Sequence, residues 1–195
     1  MAPRLDVGVI LAGGASGRMG SPKALLSLTK SETFLSRLVE TLTDGGCSIV
    51  IVVAGRHVRE IAAQLPEGAL LARNAGWARG QLSSASVGIS AALRMGAGAV
   101  LLHPVDQPLI TVRDVKKLRV ALGRGGAVVA AHAGATGHPL LLRAGLARRI
   151  AADGKSETLR AAVERVVQPE RVACSAGCLR GANDPSELRA LLTEA

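Results

Sequence analysis

Three stretches of this 195-residue chain carry side chains suited to phosphate chemistry. The first is Leu11-Ala12-Gly13-Gly14-Ala15-Ser16-Gly17-Arg18-Met19-Gly20-Ser21-Pro22-Lys23. Its four glycines let backbone N–H groups approach an anion with no Cβ in the way. Arg18 and Lys23 bring two cations to the same loop, a set that suits a triphosphate. The second is Pro104-Val105-Asp106-Gln107-Pro108, where a carboxylate held between prolines suits a hard cation such as magnesium. Asp106 as a simple turn cap is the bland alternative. The third is Asn74-Ala75-Gly76-Trp77-Ala78-Arg79-Gly80-Gln81-Leu82-Ser83-Ser84, a glycine-containing loop in which Ser83 or Ser84 is the expected helix N-cap. By residue type alone, Trp77 is a packing plug.

Two familiar phosphate loops are excluded. A P-loop needs Gly-Lys-Ser/Thr directly after its turn, whereas Gly20 is followed by Ser21-Pro22-Lys23. The dinucleotide fingerprint G-x-G-x-x-G is absent, and the second strand ends in Val53-Ala54-Gly55-Arg56 without an acidic ribose partner. A hydrolase triad has no support either, since no Ser or Asp constellation accompanies His138 in Gly137-His138-Pro139.

Apolar runs of strand length alternate with segments of helical period, and these must position the three loops. Strands are expected at Val7–Leu11, Ile49–Val53, Ala69–Ala72, Ala99–His103, Ala127–Ala131, Leu140–Leu142 and Arg171–Cys174. Helices are expected at Thr33–Thr43, Val58–Leu65, Ser84–Leu93, from Thr111 with Asp114 as its capping-box partner, at Leu146–Ala151, at Glu157–Val166, and from the Asp184 cap to Leu192. The alternation predicts a three-layer, Rossmann-like, mostly parallel, doubly wound sheet. Ligands in such sheets bind beyond the carboxyl ends of the strands, which places the three loops side by side. No repeat or domain boundary interrupts residues 1–195, so one domain is expected.

The first loop resembles the L-A-[AG]-G-x-S-x-R-M-G-x-x-K signature of the molybdenum cofactor nucleotidyltransferases, wider kin of the sugar-phosphate nucleotidyltransferases. Asp106-Gln107-Pro108 is similar to that family's D-Q-P, and Asn74–Ser84 to its N-P-x-W-x-x-G-x-x-S-S-L, with Ala75 in place of Pro. The resemblance implies a nucleotide-diphospho-sugar transferase-like fold. It implies that Leu11, Ala12, Gly13, Gly14, Ser16, Gly17, Arg18, Lys23, Asn74 and Ser84 bind an NTP, with Arg18, Lys23 and Asp106 catalytic. It further implies Mg2+ held by Asp106 and by Asn183, the position where many relatives carry Asp. Gly80, Gly137, His138 and Pro139 fall on the acceptor side. The implied reaction joins a nucleoside monophosphate to the terminal phosphate of molybdopterin and releases pyrophosphate. An acceptor phosphate is already ionised, so no general base is needed.

Ala12-Gly13-Gly14 is the GTP-like form of the loop, whereas the D-Q-P, N-x-x-W-x-x-G and G-H-P segments look like the CTP-using branch, so CTP is favoured. Ser156-Glu157-Thr158 departs from the family's G-D-x-G-A-R, which leaves another phosphorylated metabolite open as acceptor. A non-catalytic cofactor-delivery protein is the alternative of another class. A molybdoenzyme or its chaperone would be the downstream partner.

The bulk composition bounds these readings. Phe34 and Trp77 are the only aromatics, so Ala, Val, Leu and Ile build the core. The net charge of +9 reads either as attraction of anionic substrates or as plain Arg abundance. Its scattered placement and the missing stacking aromatics argue against nucleic acid. Cys47 is expected to be buried, and Cys174 and Cys178 to be structural rather than a disulfide or zinc pair. No signal peptide is visible, and no apolar run approaches the ~20 residues that span a membrane. The chain therefore reads as cytoplasmic.

Overall fold

The computed structural model describes residues 5–14, 20–123 and 126–193. The elements run β1 (Asp6–Ala12), α1 (Phe34–Asp44), β2 (Ile49–Ala54), α2 (Val58–Ala63), β3 (Ala69–Arg73), α3 (Gln81–Arg94), β4 (Ala99–Pro104), α4 (Val112–Ala121), β5 (Ala127–His132), β6 (Ala135–Arg143), α5 (Ala144–Ala151), α6 (Leu159–Val166), β7 (Glu170–Ala173) and α7 (Pro185–Leu192). The strands form one sheet in the order β3-β2-β1-β4-β6-β5-β7. All neighbours pair parallel except β6, which is antiparallel to both β4 and β5. The fold is thus the expected three-layer, mostly parallel α/β arrangement.

Alternation along the strands feeds two cores. On β1, Ile10 and Ala12 join Leu35, Leu38, Leu42, Val115 and Leu118 beneath α1 and α4. Val7, Val9 and Leu11 join Leu82, Ala85, Ile89 and Ile150 beneath α3 and α5. Both faces of the central strands are covered, which is why they are continuously apolar.

Helix starts were legible where a cap is local. Thr33 and Thr111 each form a capping box, with Ser36 and Asp114, and Asp184 caps α7 through the backbone N–H groups of Ser186 and Glu187. The start of α3 corrects the sequence reading. Gly80, not Ser83 or Ser84, precedes it, because a φ of 93° at Gly80 turns the chain three residues early. The Leu140–Leu142 strand is also longer than read. It reaches back to Ala135, so Gly137-His138-Pro139 lies within β6 rather than before it.

One contact fixes α3 over β1 and β2. A Cβ at Gly88 would sit 2.3 Å from Val9 Cγ1 and 2.9 Å from Val53 Cγ2. Gly88→Val is expected to destabilise the chain by about 1–3 kcal/mol through overpacking. The expected reading is a lower urea midpoint at unchanged m-value, and an unchanged midpoint would contradict this packing.

Cys47, Cys174 and Cys178 are free, buried thiols. Burial pushes Cys47 up to about 12 and Cys174 up to about 11. Such thiols are inert core groups rather than nucleophiles. Among the described residues, no three His, Cys, Asp or Glu side chains gather to hold a metal, and no helix is long and apolar enough to cross a membrane.

Candidate active site

Beyond the carboxyl ends of β1, β2 and β4 lies a cleft of about 450 Å3. Leu11, Ala12, Gly13 and Gly14 form one wall, Trp77 to Ser84 contribute a second, and Pro104, Val105 and Asp106 a third. The three loops picked out by composition therefore meet at one rim. Ala15 to Met19 are outside the described residues, so the readings for Ser16, Gly17 and Arg18 fall outside them too.

Close backbone approach explains two glycines. A Cβ at Gly13 would lie 2.4 Å from Ser84 Oγ, and one at Gly55 would lie 2.4 Å from the Gly13 carbonyl and 2.5 Å from Trp77 Cβ. The ends of β1 and β2 thus meet under Trp77, which packs on Gly55 while also lining the cleft. Gly55, His57 and Gln81 were not selected from the sequence, although a glycine just past a buried strand signals such an approach.

Asn74 lies beneath the cleft wall. It is 2% exposed, its Nδ2 donates to Ser83 Oγ at 2.9 Å and Ser84 Oγ at 3.0 Å, and its Oδ1 accepts from the Gly76 N–H. Ser83 in turn donates to the carbonyls of Gly76 and Gly80. These bonds shape the loop and present Ser84, which does line the cleft.

Lys23, Asp106 and Asn183 converge from distant parts of the chain. Lys23 Nζ donates to Asp106 Oδ2 at 3.0 Å and to Asn183 Oδ1 at 2.7 Å. Each partner is anchored locally. Lys23 begins a 3-10 turn closed by the Leu25 N–H on the Pro22 carbonyl and pinned by buried Ala24. Asp106 follows β4, where the Val105 N–H reaches the Leu11 carbonyl. The Ala182 N–H donates to the Asp106 carbonyl at 2.9 Å and so ties the two oxygen-bearing loops together. Glu187 accepts the Asn183 N–H at 2.6 Å.

Two side-chain oxygens aimed at one cationic nitrogen make a cation seat. Magnesium commonly takes one or two protein oxygens and completes its shell with phosphate and water, so the donor set fits such an ion. The amide of Asn183 supplies an oxygen that carries no formal charge.

A second cleft, of about 640 Å3, opens beyond Gln81 and Gln107 and is floored by Leu140, Leu159 and Val163. Gly137 and His138 line it, with Arg160 and Arg171 on its wall. Of the residues expected on the acceptor side, Pro139 is part of β6 and does not line this cleft, and Gly80 faces the first cleft instead. Gln81 lines both clefts.

His103 supports the turn that carries Asp106. It is fully buried in β4, and its Nε2 lies 2.8 Å from the Gln107 carbonyl, which makes Nε2–H the donor. Burial drives it down from the usual 6.5 to about 3, with His138 nearby lowering it further. The neutral folded form fixes the sign of the pH effect. Its stabilising contribution is complete above pH 6.5 and is lost as pH falls from 6.5 toward about 3. The expected slope is up to about 1.4 kcal/mol per pH unit for this one proton. His103→Gln keeps a donor but cannot titrate, so its urea midpoint should fall less than the wild type's between pH 7 and pH 5. Equal losses would contradict the assignment.

A profile of the MobA-like NTP transferase domain matches residues 8–172. The chain is 33% identical over 153 residues to nicotine blue oxidoreductase of Paenarthrobacter nicotinovorans, covering 74% of each chain. It is 33% identical over 117 residues to a probable molybdenum cofactor guanylyltransferase of Rhodopirellula baltica, covering 60% of this chain and 56% of that one. In three dimensions it is similar to Rv0371c of Mycobacterium tuberculosis, with TM-score 0.82, 20% identity and 99% and 100% coverage. A manganese complex of Rv0371c superposes at TM-score 0.77, with 19% identity and 98% and 100% coverage. At these identities the structural likeness shows a shared fold.

Proposed function

The chain belongs to the MobA-like NTP transferase family, and on that premise we propose that it transfers GMP from GTP to the terminal phosphate of a molybdopterin-type acceptor, releasing pyrophosphate. The observation that carries this reading is the convergence of Lys23, Asp106 and Asn183 at the mouth of a glycine-walled cleft. GTP replaces CTP as the favoured nucleotide on two grounds. Ala12-Gly13-Gly14 has the GTP-like form, and the Rhodopirellula relative is named a guanylyltransferase.

In this reading the Gly13–Gly14 backbone and the Lys23 ammonium take the negative charge of the triphosphate. Asp106 and Asn183 would hold a divalent ion, magnesium being the expected one. When bound, that ion neutralises phosphate charge and orients the reacting oxygens. The second cleft holds the acceptor, and Gln81 borders both substrates. An oxygen of the acceptor phosphate attacks the α-phosphorus in line. One P–O bond forms, the α–β bridging bond breaks, and its electrons leave with pyrophosphate. No proton transfer is required, so positioning and charge compensation carry the catalysis.

A second reading draws on the name of the Paenarthrobacter relative, an oxidoreductase. Hydride transfer needs no cation seat of this kind, which favours nucleotidyl transfer. The test is pyrophosphate release with GTP or CTP, Mg2+ and molybdopterin, with the product identified by mass. A GMP-bearing product supports the proposal. Turnover with CTP alone overturns the choice of base. Absence of pyrophosphate release with either nucleotide overturns the reaction class.

A further inference from the structure

We propose that Lys23 competes with the divalent ion for the Asp106–Asn183 seat, and that a bound triphosphate admits the ion by drawing the Lys23 ammonium away. The inference rests on the metal-assisted reading above and adds a coupling between nucleotide and ion that the reading does not require. Lys23 Nζ lies 3.0 Å from Asp106 Oδ2 and 2.7 Å from Asn183 Oδ1, so it engages both oxygens that an ion would need. Magnesium binds oxygen at about 2.0–2.1 Å, closer than an ammonium does, and the same lone pairs cannot serve both cations. Charge repulsion between ammonium and ion adds to the exclusion.

The surrounding structure lets the side chain move without the backbone. The 3-10 turn Lys23–Leu25 and buried Ala24 fix the Cα, while the four-carbon stem is flexible and its ammonium bonds as a point charge. Lys23 also lines the cleft shared with Gly13 and Gly14, so a triphosphate there offers it stronger acceptors than one carboxylate and one amide. Asp106 and Asn183 stay in place because the Ala182 N–H links their loops and Glu187 holds the Asn183 backbone. Nucleotide and ion then favour one another's binding, and by linkage the coupling is reciprocal.

The experiment uses Mn2+ alone as the probe, with free ion followed by electron paramagnetic resonance. It compares the wild type, Lys23→Met and the double variant Lys23→Met/Asp106→Asn, each checked for folding by urea denaturation. Without nucleotide, Lys23→Met is expected to bind Mn2+ at least about tenfold more tightly than the wild type, a difference of about 1.4 kcal/mol. The double variant should lose that gain. A Lys23→Met affinity equal to or weaker than the wild type's overturns the competition. If wild-type pyrophosphate release still requires a divalent ion and Asp106 in that case, the functional reading survives. Release that ignores the ion removes both.

Discussion

Asp106→Ala should lower the rate of nucleotidyl transfer by about 10³-fold, the size of loss that follows when a preorganised charge-stabilising group is removed from a phosphoryl-transfer site. Asp106 carries the only formal negative charge among the two seat oxygens, since Asn183 contributes a neutral amide. The substitution removes that charge at the strand end and leaves the turn intact. His103 bonds the Gln107 backbone, and Ala182 bonds the Asp106 backbone, so neither contact involves the deleted carboxylate. Stability should therefore change little, and nucleotide binding through the glycine wall should weaken less than turnover. Single-turnover pyrophosphate release together with urea denaturation measures both. Retention of turnover would show that the ion is held elsewhere.

Lys23→Met lowers kcat by about 10²–10³-fold at saturating GTP and metal, the loss typical of one aimed donor at developing charge. The ammonium is asked to stabilise charge that grows on the phosphates as the α–β bond breaks, so the effect belongs mainly in kcat rather than KM. Methionine keeps the four-atom apolar stem of lysine and removes the ammonium, with its charge and its N–H donors. The same variant is expected to bind Mn2+ more tightly while turning over more slowly, and that opposition separates a charge-stabilising lysine from a merely structural one. A loss confined to KM would mean that Lys23 binds substrate and transition state equally.

Most strands and helices of the framework were legible in the sequence, and the loops at the strand ends stood out by residue type. Gly13, Gly14, Lys23 and Asp106 stood out because glycine, cation and carboxylate at strand ends have few other uses there. The rule that ligands sit beyond strand carboxyl ends correctly gathered loops far apart in the chain. Helix starts at Thr33, Thr111 and Asp184 were legible because capping is a matter of neighbouring residues. The antiparallel run of β6 was less visible. Its hairpin turns at Ala133 and Gly134, with φ of 48° and 84°, and an alanine in the left-handed region leaves no familiar turn signal. Thr136 to Pro139 also lack an apolar alternation, so only the end of the strand was recognised. Asn74 reads from the sequence as a ligand contact, an amide in a polar loop, and the structure adds its hydrogen bonds to Ser83 and Ser84. Its role as an internal brace depends on Ser83 and Ser84 folding back on it, which sequence spacing does not reveal.

Catalysis of this kind requires one cleft to hold nucleotide and divalent ion together, between the glycine wall and the Asp106–Asn183 pair. Crystals grown with Mn2+ and a GTP analogue carrying a methylene in place of the α–β bridging oxygen test that requirement most directly, through the anomalous signal of manganese. The expected result is one peak within coordination distance of Asp106 Oδ2 and Asn183 Oδ1, a phosphate oxygen beside it, and Lys23 Nζ turned onto the phosphates. Manganese remote from Asp106, or the analogue lodged in the cleft floored by Leu140 and Val163, would contradict it.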